Sequence, residues 1–327
     1  MKAWRADKFG VPAEVLTLQE IELPQPPPGF MSLKVIAAGV GLPDVMMLKG
    51  VYPLVTRPPV SPGMEVSAEV IALGEGVSQF SVGDKIMTTA AAVSGWGGFA
   101  QYCHADATKA MMIPKGVTDI EAGGFLLPFR TAHIALVHRL KLQADETLLV
   151  LGAAGSSGAS AIQMGKALGA KVIAAASSNT KLEFCKSCGA DFVINYKSED
   201  MSERIKEATN GKGVDVIFDP VGGDIGGLAL KSIARLGRLG LIGMASGSWT
   251  ALDHQDIVLK NYSVVGVFAG VATENEAGQT FADLGRLAEA GKIKTPVAKV
   301  FKFDEVRAAL LQQENGDFLG KIIVEVE

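Results

Sequence analysis

The stretch of sequence that decides the fold is Leu148-Leu149-Val150-Leu151-Gly152-Ala153-Ala154-Gly155-Ser156-Ser157-Gly158. Its apolar first part is typical of a buried strand, and the residues from 160 to 168 have the pattern of a helix. A glycine-rich turn between strand and helix lets a diphosphate approach backbone N–H groups at the positive end of the helix. The stretch therefore predicts a dinucleotide site on Gly155, Ser156, Ser157 and Gly158; the alternative is a tight turn that binds nothing.

Further apolar runs on the C-terminal side of this turn alternate with helix-like stretches. Strands that alternate with helices in this way predict a parallel, doubly wound sheet with helices on both faces. The fold class is therefore α/β, with a Rossmann-type sheet. The predicted strands are residues 148–151, 171–176, 192–195, 214–218, 239–243 and 263–268.

The residues on the N-terminal side of the glycine-rich turn show a different sequence pattern. A Pro-rich break at residues 24–29 precedes predicted strands at residues 31–40 and 65–73, and glycine-rich turns follow them. Short strands with such turns favour a small β-barrel. Near the other end, residues 281–290 and 303–313 have the pattern of helices, and residues 321–325 that of a strand. The nucleotide domain is therefore predicted to be inserted between two parts of a barrel domain.

The end of the second predicted strand bears on the choice of coenzyme. An NAD site usually places an acidic residue there to bind the ribose 2′-hydroxyl, but none occurs near Ser177. The hydroxyls of Ser177 and Ser178 and the ammonium of Lys181 suit a 2′-phosphate instead. The coenzyme is predicted to be NADPH rather than NADH, with a merely solvated Lys181 as the alternative.

Composition excludes several classes of function. The 327 residues are 48% hydrophobic and 20% charged, as in ordinary globular proteins, and the formal charge of -4 offers no attraction for nucleic acid or anionic lipid. The first residues lack the pattern of a secretion signal, and no apolar run is long enough to span a bilayer. Three cysteines do not make a disulfide framework. We expect a cytoplasmic protein with no nucleic-acid or membrane partner.

The order and spacing of short motifs resemble the medium-chain dehydrogenase/reductase superfamily and, within it, the zinc-independent, zeta-crystallin-like quinone oxidoreductases. The resemblance covers nearly the whole chain. Besides the phosphate turn, the motifs are Gly39-Val40-Gly41-Leu42-Pro43-Asp44, Gly50-Val51-Tyr52-Pro53, Pro62-Gly63-Met64-Glu65, Gly83-Asp84-Lys85-Ile86, Gly97-Gly98-Phe99-Ala100-Gln101-Tyr102, Arg130-Thr131-Ala132-His133, Gly189-Ala190-Asp191, Ile194-Asn195-Tyr196, Gly213-Val214-Asp215 and Phe218-Asp219-Pro220-Val221-Gly222-Gly223.

The resemblance implies a GroES-like barrel domain built from both chain ends around a Rossmann domain, with the substrate in the cleft between them. The corresponding ranges are 1–122 with 270–327 for the barrel and 123–269 for the nucleotide domain. Zinc enzymes of the superfamily carry a Cys near Gly41 and a His at Met64; neither residue present here offers a thiolate or an imidazole. No metal is therefore expected.

The resemblance also assigns roles to individual residues of the site. The resemblance places Tyr52 beside the nicotinamide as a candidate hydroxyl for the acceptor, although a half-buried tyrosine that only packs on the barrel is equally compatible. Gly41 stands where related enzymes carry an Asn that lines the pocket, so acceptor specificity is expected to differ. The coenzyme positions that carry over besides the turn are Thr131, Tyr196, Gly243, Phe268 and Lys321, the last of them toward a phosphate.

Three functions stay open at this point. The first is hydride transfer from NADPH to a quinone or a similar conjugated acceptor, which stabilises negative charge without a metal. The second is reduction of an enone or enoyl double bond on the same scaffold. The third is an NADPH-binding structural or regulatory protein with little turnover. A homodimer is also expected, paired through the apolar edge strand at residues 264–268.

Overall fold

The computed structural model describes residues 1–316 and 318–326, which form two compact units. The first unit comprises Met1–Leu127 and the described residues from Lys294 onward, and the second comprises Pro128–Ile293. Residues 123–127 thus group with the first unit and residues 270–293 with the second, whereas the sequence interpretation divided the chain at 122 and 270. The domain boundaries drawn from the sequence remain a prediction.

The first unit is a mainly antiparallel β structure, as the sequence predicts. In its seven-stranded sheet the strand order is β14-β15-β3-β4-β5-β7, with β6 also paired to β3; β1 and β2 form a separate hairpin-like pair. Elements are numbered along the chain. The strands are β1 Lys2–Arg5, β2 Thr17–Glu20, β3 Phe30–Val40, β4 Glu65–Leu73, β5 Lys85–Thr89, β6 Tyr102–Asp106, β7 Ala110–Met112, β14 Val297–Lys302 and β15 Lys321–Glu325.

Short helices cover this sheet, and its core is apolar. Phe99, Met31 and Leu33 are fully buried in one cluster that also includes Val66 and Leu310. The helices are α1 Pro12–Val15, α2 Leu42–Lys49, α3 Asp119–Ala122 and α11 Val306–Asn315, with 3-10 turns at Ala92–Ser94, Ala107–Lys109 and Phe303–Glu305.

The second unit contains a six-stranded sheet in which every pair of neighbours is parallel. The order β10-β9-β8-β11-β12-β13 reverses direction at β8, which confirms the predicted doubly wound sheet. The strands are β8 Thr147–Val150, β9 Lys171–Ala176, β10 Phe192–Asn195, β11 Val214–Asp219, β12 Ile233–Leu241 and β13 Ser263–Gly266.

Helices connect these strands, because each parallel crossover must return the chain to the same edge. Helix α4 ends at His133 and continues as a π-helical segment, Ile134–Arg139. Thr280 on α10 lies 3.1 Å (Oγ1 to Nδ1) from His133, which joins α10 to the second unit. The helices are α4 Leu126–His133, α5 Ser156–Ala167, α6 Asn179–Ser187, α7 Met201–Thr209, α8 Gly223–Leu230, α9 His254–Lys260 and α10 Glu274–Glu289, with a 3-10 turn at Ala269–Val271.

Helix length and apolar character decide whether a helix could cross a bilayer. None of the helices in the described part of the chain combines the length and the apolar character that a membrane crossing needs.

Candidate functional site

The glycine-rich turn lies in the second unit, between β8 and α5. Residues 151–154 form the turn, and α5 begins at Ser156 with Gly155 as its N-cap residue. Gly152 has a φ of +56°, and a Cβ there would lie 2.8 Å from Val221 Cγ2. Both the left-handed backbone and the contact exclude a side chain at Gly152.

Two further glycines of the turn differ in what surrounds them. A Cβ at Gly158 would lie 2.5 Å from the Gly152 carbonyl oxygen and 2.6 Å from Ala153 Cα. These are backbone atoms, so Gly158 is needed for the helix to approach the turn. A Cβ at Gly155 would meet only the Gly152 carbonyl oxygen, at an ordinary 3.5 Å. Gly155 therefore leaves open space in front of the helix.

The first backbone N–H groups of α5 are available to an external acceptor. Gly155 N donates to Gly152 O at 3.1 Å, and Ala159 N donates to Gly155 O at 2.8 Å. The N–H groups of residues 156–158 lie between these two bonds and have no acceptor among the described residues. Gly155 has no side chain to cap them. Three amides at the positive end of a twelve-residue helix fit a diphosphate.

The predicted coenzyme residues follow successive strands of the same sheet. Tyr196 comes after β10, Ser177 after β9, Gly155 after β8, Gly243 after β12 and Phe268 after β13. Carboxyl ends of parallel strands meet at one edge, and the strand order puts these positions in that sequence along it. The structure thus brings them to a single edge of the second unit; their contact with a coenzyme stays a prediction.

The corner beyond β9 carries the residues predicted to choose between coenzymes. Ser178 Oγ accepts a hydrogen bond from Lys181 N at 3.4 Å and so caps α6. Tyr196 N donates to Ala176 O at 3.2 Å, which holds Tyr196 beside the end of β9. Ser177, Lys181 and Tyr196 are partly exposed. Residues 177–182 include hydroxyls and an ammonium but no carboxylate.

One buried carboxylate, Asp219 at the end of β11, organises the loops next to the turn. Its Oδ1 accepts from Val221 N at 2.9 Å and from Gly222 N at 2.8 Å, and its Oδ2 accepts from Thr250 Oγ1 at 2.5 Å. The side chain is fully buried. Asp219 therefore holds Val221 in the position where it contacts Gly152, a role that the sequence interpretation did not assign.

The other predicted coenzyme residues of the second unit occupy distinct positions. Gly243 N donates to Asp219 O at 3.3 Å, and a Cβ at Gly243 would lie 3.1 Å from Pro220 O. Phe268 is 49% exposed although it is aromatic, so its ring is available to a ligand. Thr131 is half-buried within α4.

In the first unit, the residues around Gly41 are held by Asp44. Asp44 Oδ2 accepts from Gly41 N at 2.8 Å, and Oδ1 accepts from Gly63 N at 2.8 Å and from Met64 N at 3.1 Å. This carboxylate fixes the start of α2 against the segment before β4. Burial raises the pKa of Asp44 to about 6, against the lowering effects of these N–H groups and of the Lys321 charge.

The raised pKa of Asp44 predicts a pH dependence of stability. The folded pKa of about 6 exceeds the ordinary value of 3.8. The stabilisation that comes from protonating Asp44 is therefore complete below pH 3.8 and is lost as the pH rises through about 6. The loss reaches up to about 1.4 kcal/mol per pH unit. Urea unfolding in steps between about pH 4 and 7 measures it.

Asp44→Asn is the control for this measurement. Because the Asn amide does not titrate, the stability of this variant should not show the loss between pH 4 and 7 that comes from Asp44. Burial lowers the pKa values of His104 and His133, which gives an opposite slope, but both histidines are present in both proteins. Parallel stability profiles for wild type and Asp44→Asn would contradict the prediction.

Tyr52, the predicted acceptor residue, is half-buried and packs against the core of the first unit. Burial, and to a smaller extent the negative charge of Asp44, raise the pKa of Tyr52. The phenol therefore stays protonated at neutral pH and is able to donate a hydrogen bond. Gly41 offers no polar side chain at the neighbouring position.

Lys321 occupies a different environment from the one predicted. Its side chain and that of Glu65 are 3% and 1% exposed, and the Lys321 ammonium forms an ion pair with Glu65 Oε1. Glu65 Oε2 also accepts from Leu127 N at 2.9 Å. The ammonium is thus paired inside the first unit. The ion pair with Glu65 competes with the phosphate role of Lys321, which stays a prediction.

A metal site needs several His, Cys, Asp or Glu side chains close together. The described residues include no group of three or more such side chains arranged to hold a metal ion. The positions discussed for zinc are occupied by Gly41 and by the thioether of Met64. Neither atom set fits Zn²⁺.

The sequence interpretation missed three functional carboxylates: Asp44, Glu65 and Asp219. A signal was present for Asp44, since an acidic residue three positions after Gly41 and next to a proline is typical of a helix start. For Glu65 and Asp219 the signal was weaker: Glu65 begins β4 and Asp219 ends β11, and each strand carries a second acidic residue. Their partners, Lys321 and Thr250, are distant in sequence.

Family models match two parts of the chain. The model described as alcohol dehydrogenase GroES-like domain matches residues 27–115, and the model described as zinc-binding dehydrogenase matches residues 158–285. Among curated proteins, quinone oxidoreductase-like protein 2 of Bos taurus is 30% identical over 316 residues, which is 95% of this chain and 89% of the relative.

Solved structures of oxidoreductases are also similar to this chain. The Escherichia coli quinone oxidoreductase complexed with NADPH is 28% identical and superposes with a TM-score of 0.92, covering 100% of both chains. The CurK enoyl reductase is 26% identical with a TM-score of 0.89, covering 100% of this chain and 99% of that one.

Proposed function

Because the chain belongs to the zinc-independent, quinone oxidoreductase-like group of the medium-chain dehydrogenase/reductase superfamily and is an oxidoreductase, we propose that it transfers hydride from NADPH to a quinone or a similar conjugated acceptor. The observation that carries this proposal is the set of three unpartnered amides behind Gly155. They are a site for the diphosphate of a dinucleotide. The NADPH bound to the Escherichia coli relative supports the choice of coenzyme.

Each part of the coenzyme has residues that suit it. Gly155, Ser156, Ser157 and Gly158 hold the diphosphate, and Ser177, Ser178 and Lys181 hold the 2′-phosphate. Tyr196 covers the adenosine. Gly243 and Phe268 lie toward the nicotinamide, because β12 and β13 are on the other side of β8 from β9 and β10. Thr131, on α4, is assigned to the same part of the coenzyme from the family resemblance alone.

The nicotinamide supplies the hydride, and the protein residues supply orientation and a proton. In the proposed role, Tyr52 donates a hydrogen bond to the acceptor oxygen, which gains negative charge during reduction. The phenol is protonated at neutral pH and can therefore donate this hydrogen bond. Gly41 removes the polar side chain that an Asn would supply, so we expect the range of acceptors to differ from that of related enzymes.

The direct test is NADPH oxidation by the purified protein with a panel of acceptors: 1,4-benzoquinone, 9,10-phenanthrenequinone, an enone and an enoyl thioester. We expect the quinones to be reduced fastest, with NADPH preferred over NADH. Turnover that needs added zinc, or an absence of binding to both coenzymes, would contradict the proposal.

Reduction of an enone or enoyl double bond is the second candidate, supported by the likeness to the CurK enoyl reductase. Faster turnover of the enoyl thioester than of any quinone in the same panel would favour it. NADPH binding of normal affinity with no turnover across the panel would favour a structural or regulatory role instead.

Lys181→Ala tests the assignment of the 2′-phosphate. We expect the Kd for NADPH to rise about tenfold and that for NADH to change by less than about twofold, because only NADPH carries the phosphate. Lys186→Ala is the matched control: Lys186 lies on the same helix and pairs with Glu183 on the surface. Equal effects of Lys181→Ala on both coenzymes would overturn the assignment.

We also propose that the protein is a cytoplasmic homodimer. Strand β13 lies at the edge of the six-stranded sheet with Val264 and Val265 half-exposed, and Phe268 and Val271 beyond it are exposed at 49% and 75%. An uncovered apolar edge of this kind pairs readily with a second copy. Sedimentation at micromolar concentration should give twice the mass of the chain; a monomer would contradict the proposal.

A further inference from the structure

A cavity is lined entirely by residues of the first unit. Its volume is about 370 Å³, and its walls include the rings of Pro24, Pro27, Phe30 and Trp96. The Pro-rich segment that precedes β3 thus forms one side of a concave surface. His104, on β6, is the ionisable side chain in its lining.

His104 carries a polar atom that the fold leaves unsatisfied. The side chain is 2% exposed, and its Nδ1 lies 3.2 Å from Ser32 Oγ on the neighbouring strand β3. Its Nε2 is buried and has no hydrogen-bond partner among the described residues. A buried nitrogen without a partner costs free energy, so it calls for a ligand or another explanation.

The protonation of the ring follows from its surroundings. Burial lowers the pKa of His104, which keeps the imidazole neutral, and a hydrogen bond to the Met31 main chain opposes this effect. Because Nε2 has no partner, the main-chain contact that raises the pKa involves Nδ1, and we assign the proton to Nδ1. Nε2 therefore carries the lone pair and accepts hydrogen bonds.

The Trp96 ring packs against the His104 ring, and both residues line the cavity. The two rings meet edge to face, with centroids 5.1 Å apart and an interplanar angle of 65°. Trp96 is only partly buried and lies in the loop after β5, where its main-chain N donates to Ala91 O at 3.0 Å. Since Nε2 is buried, a neighbouring side chain such as the Trp96 indole has to move for a ligand to reach it.

We propose that this cavity binds a small, uncharged aromatic molecule with a hydroxyl group, of the phenol class. The ring packs between Trp96, Phe30 and the two prolines, and the hydroxyl donates to His104 Nε2. The lining contains no Lys, Arg, Asp or Glu, which disfavours phosphates, carboxylates and amines. The site is independent of the proposed redox function, because all its residues belong to the first unit and none is assigned to coenzyme or acceptor.

The test is an NMR titration of the full protein with 2-naphthol and with 2-methoxynaphthalene, which lacks the donor. The three tryptophans give separate indole N–H signals. We expect 2-naphthol to shift the Trp96 signal saturably while the Trp4 and Trp249 signals stay in place. The methoxy probe should bind about tenfold more weakly, because it cannot donate to Nε2.

Two variants make the test specific. His104→Phe should bind both probes equally, whereas His254→Phe, an exposed control in the second unit, should keep the tenfold difference. If His104→Phe does not fold, Ser94→Trp, at an exposed position of the cavity lining, should block both probes. A Trp96 signal unchanged at about 1 mM 2-naphthol, or equal binding of the two probes by wild type, would overturn the proposal.

Discussion

Replacing Gly155 with alanine is expected to raise the Kd for NADPH about 100-fold while the free energy of unfolding stays within about 1 kcal/mol of wild type. The backbone at Gly155 is extended (φ -79°, ψ 171°), so alanine fits without strain, and its Cβ meets only one atom at 3.5 Å. The added methyl group would nevertheless fill the space over the three amides of α5. A diphosphate would then lose charge-assisted hydrogen bonds.

Two other glycines serve as controls for Gly155→Ala. Gly158→Ala pushes backbone atoms of the turn apart, so it should lower stability by about 1–3 kcal/mol as well as coenzyme affinity. Gly227→Ala, which meets open space on α8, should lower neither. Calorimetric titration with NADPH and urea unfolding measure the two quantities. Wild-type affinity in Gly155→Ala would show that the turn does not hold the diphosphate.

Replacing Lys321 with methionine is expected to destabilise the first unit by about 3–5 kcal/mol. Lys321 and Glu65 are almost completely buried, and the substitution would leave the Glu65 carboxylate without its partner ion. Lys302→Met, on the neighbouring strand β14, is the control: Lys302 pairs with Glu325 but its side chain is 72% exposed. Its loss should leave the urea unfolding midpoint close to that of wild type, because solvent screens an exposed ion pair.

The double variant Lys321→Met with Glu65→Met separates a pairing role from a coenzyme role. It should be clearly more stable than Lys321→Met alone, because both buried charges are then removed together. If Lys321→Met instead kept its stability and lost NADPH affinity, the phosphate role inferred from the family would be right and the ion pair unimportant.

Some of the fold was predictable because the signal is local. Strands β9 and β10 have the predicted bounds, since each is a continuous apolar run that is buried in a parallel sheet. Strand β12 was predicted only at residues 239–243, whereas it begins at Ile233. Its early part contains Arg235, and Leu236 there has a φ of +63°, an irregularity that apolar patterns do not reveal.

The bounds of the helices were likewise only partly predictable from apolar patterns. Helix α10 starts at Glu274 rather than near residue 281, and a capping box of Thr273 and Glu276 marks this start in the sequence. Helix α2 was not predicted at all. It contains Pro43 and lacks an amphipathic pattern, and its start depends on Asp44, which binds N–H groups nineteen and twenty residues away.

For the candidate site, the turn was recognisable because its glycines, strand and helix are contiguous. The pairing of Lys321 with Glu65 was not, because it joins strands from opposite ends of the chain and depends on how the sheet closes. A lysine near the C-terminus has no local feature that distinguishes a buried ion pair from a phosphate ligand. Only the three-dimensional arrangement separates the two.

The place of β15 in the sheet, between β14 and β3, has a consequence for synthesis on the ribosome. Ile323 pairs with Gly39, so one edge of β3 stays unpaired until a segment nearly three hundred residues further along the chain has been synthesised. During that interval Glu65 lacks its counter-ion and the nascent sheet is open to wrong partners, while the inserted second unit already has all its strands. Chaperone demand during translation should therefore be concentrated on the first unit.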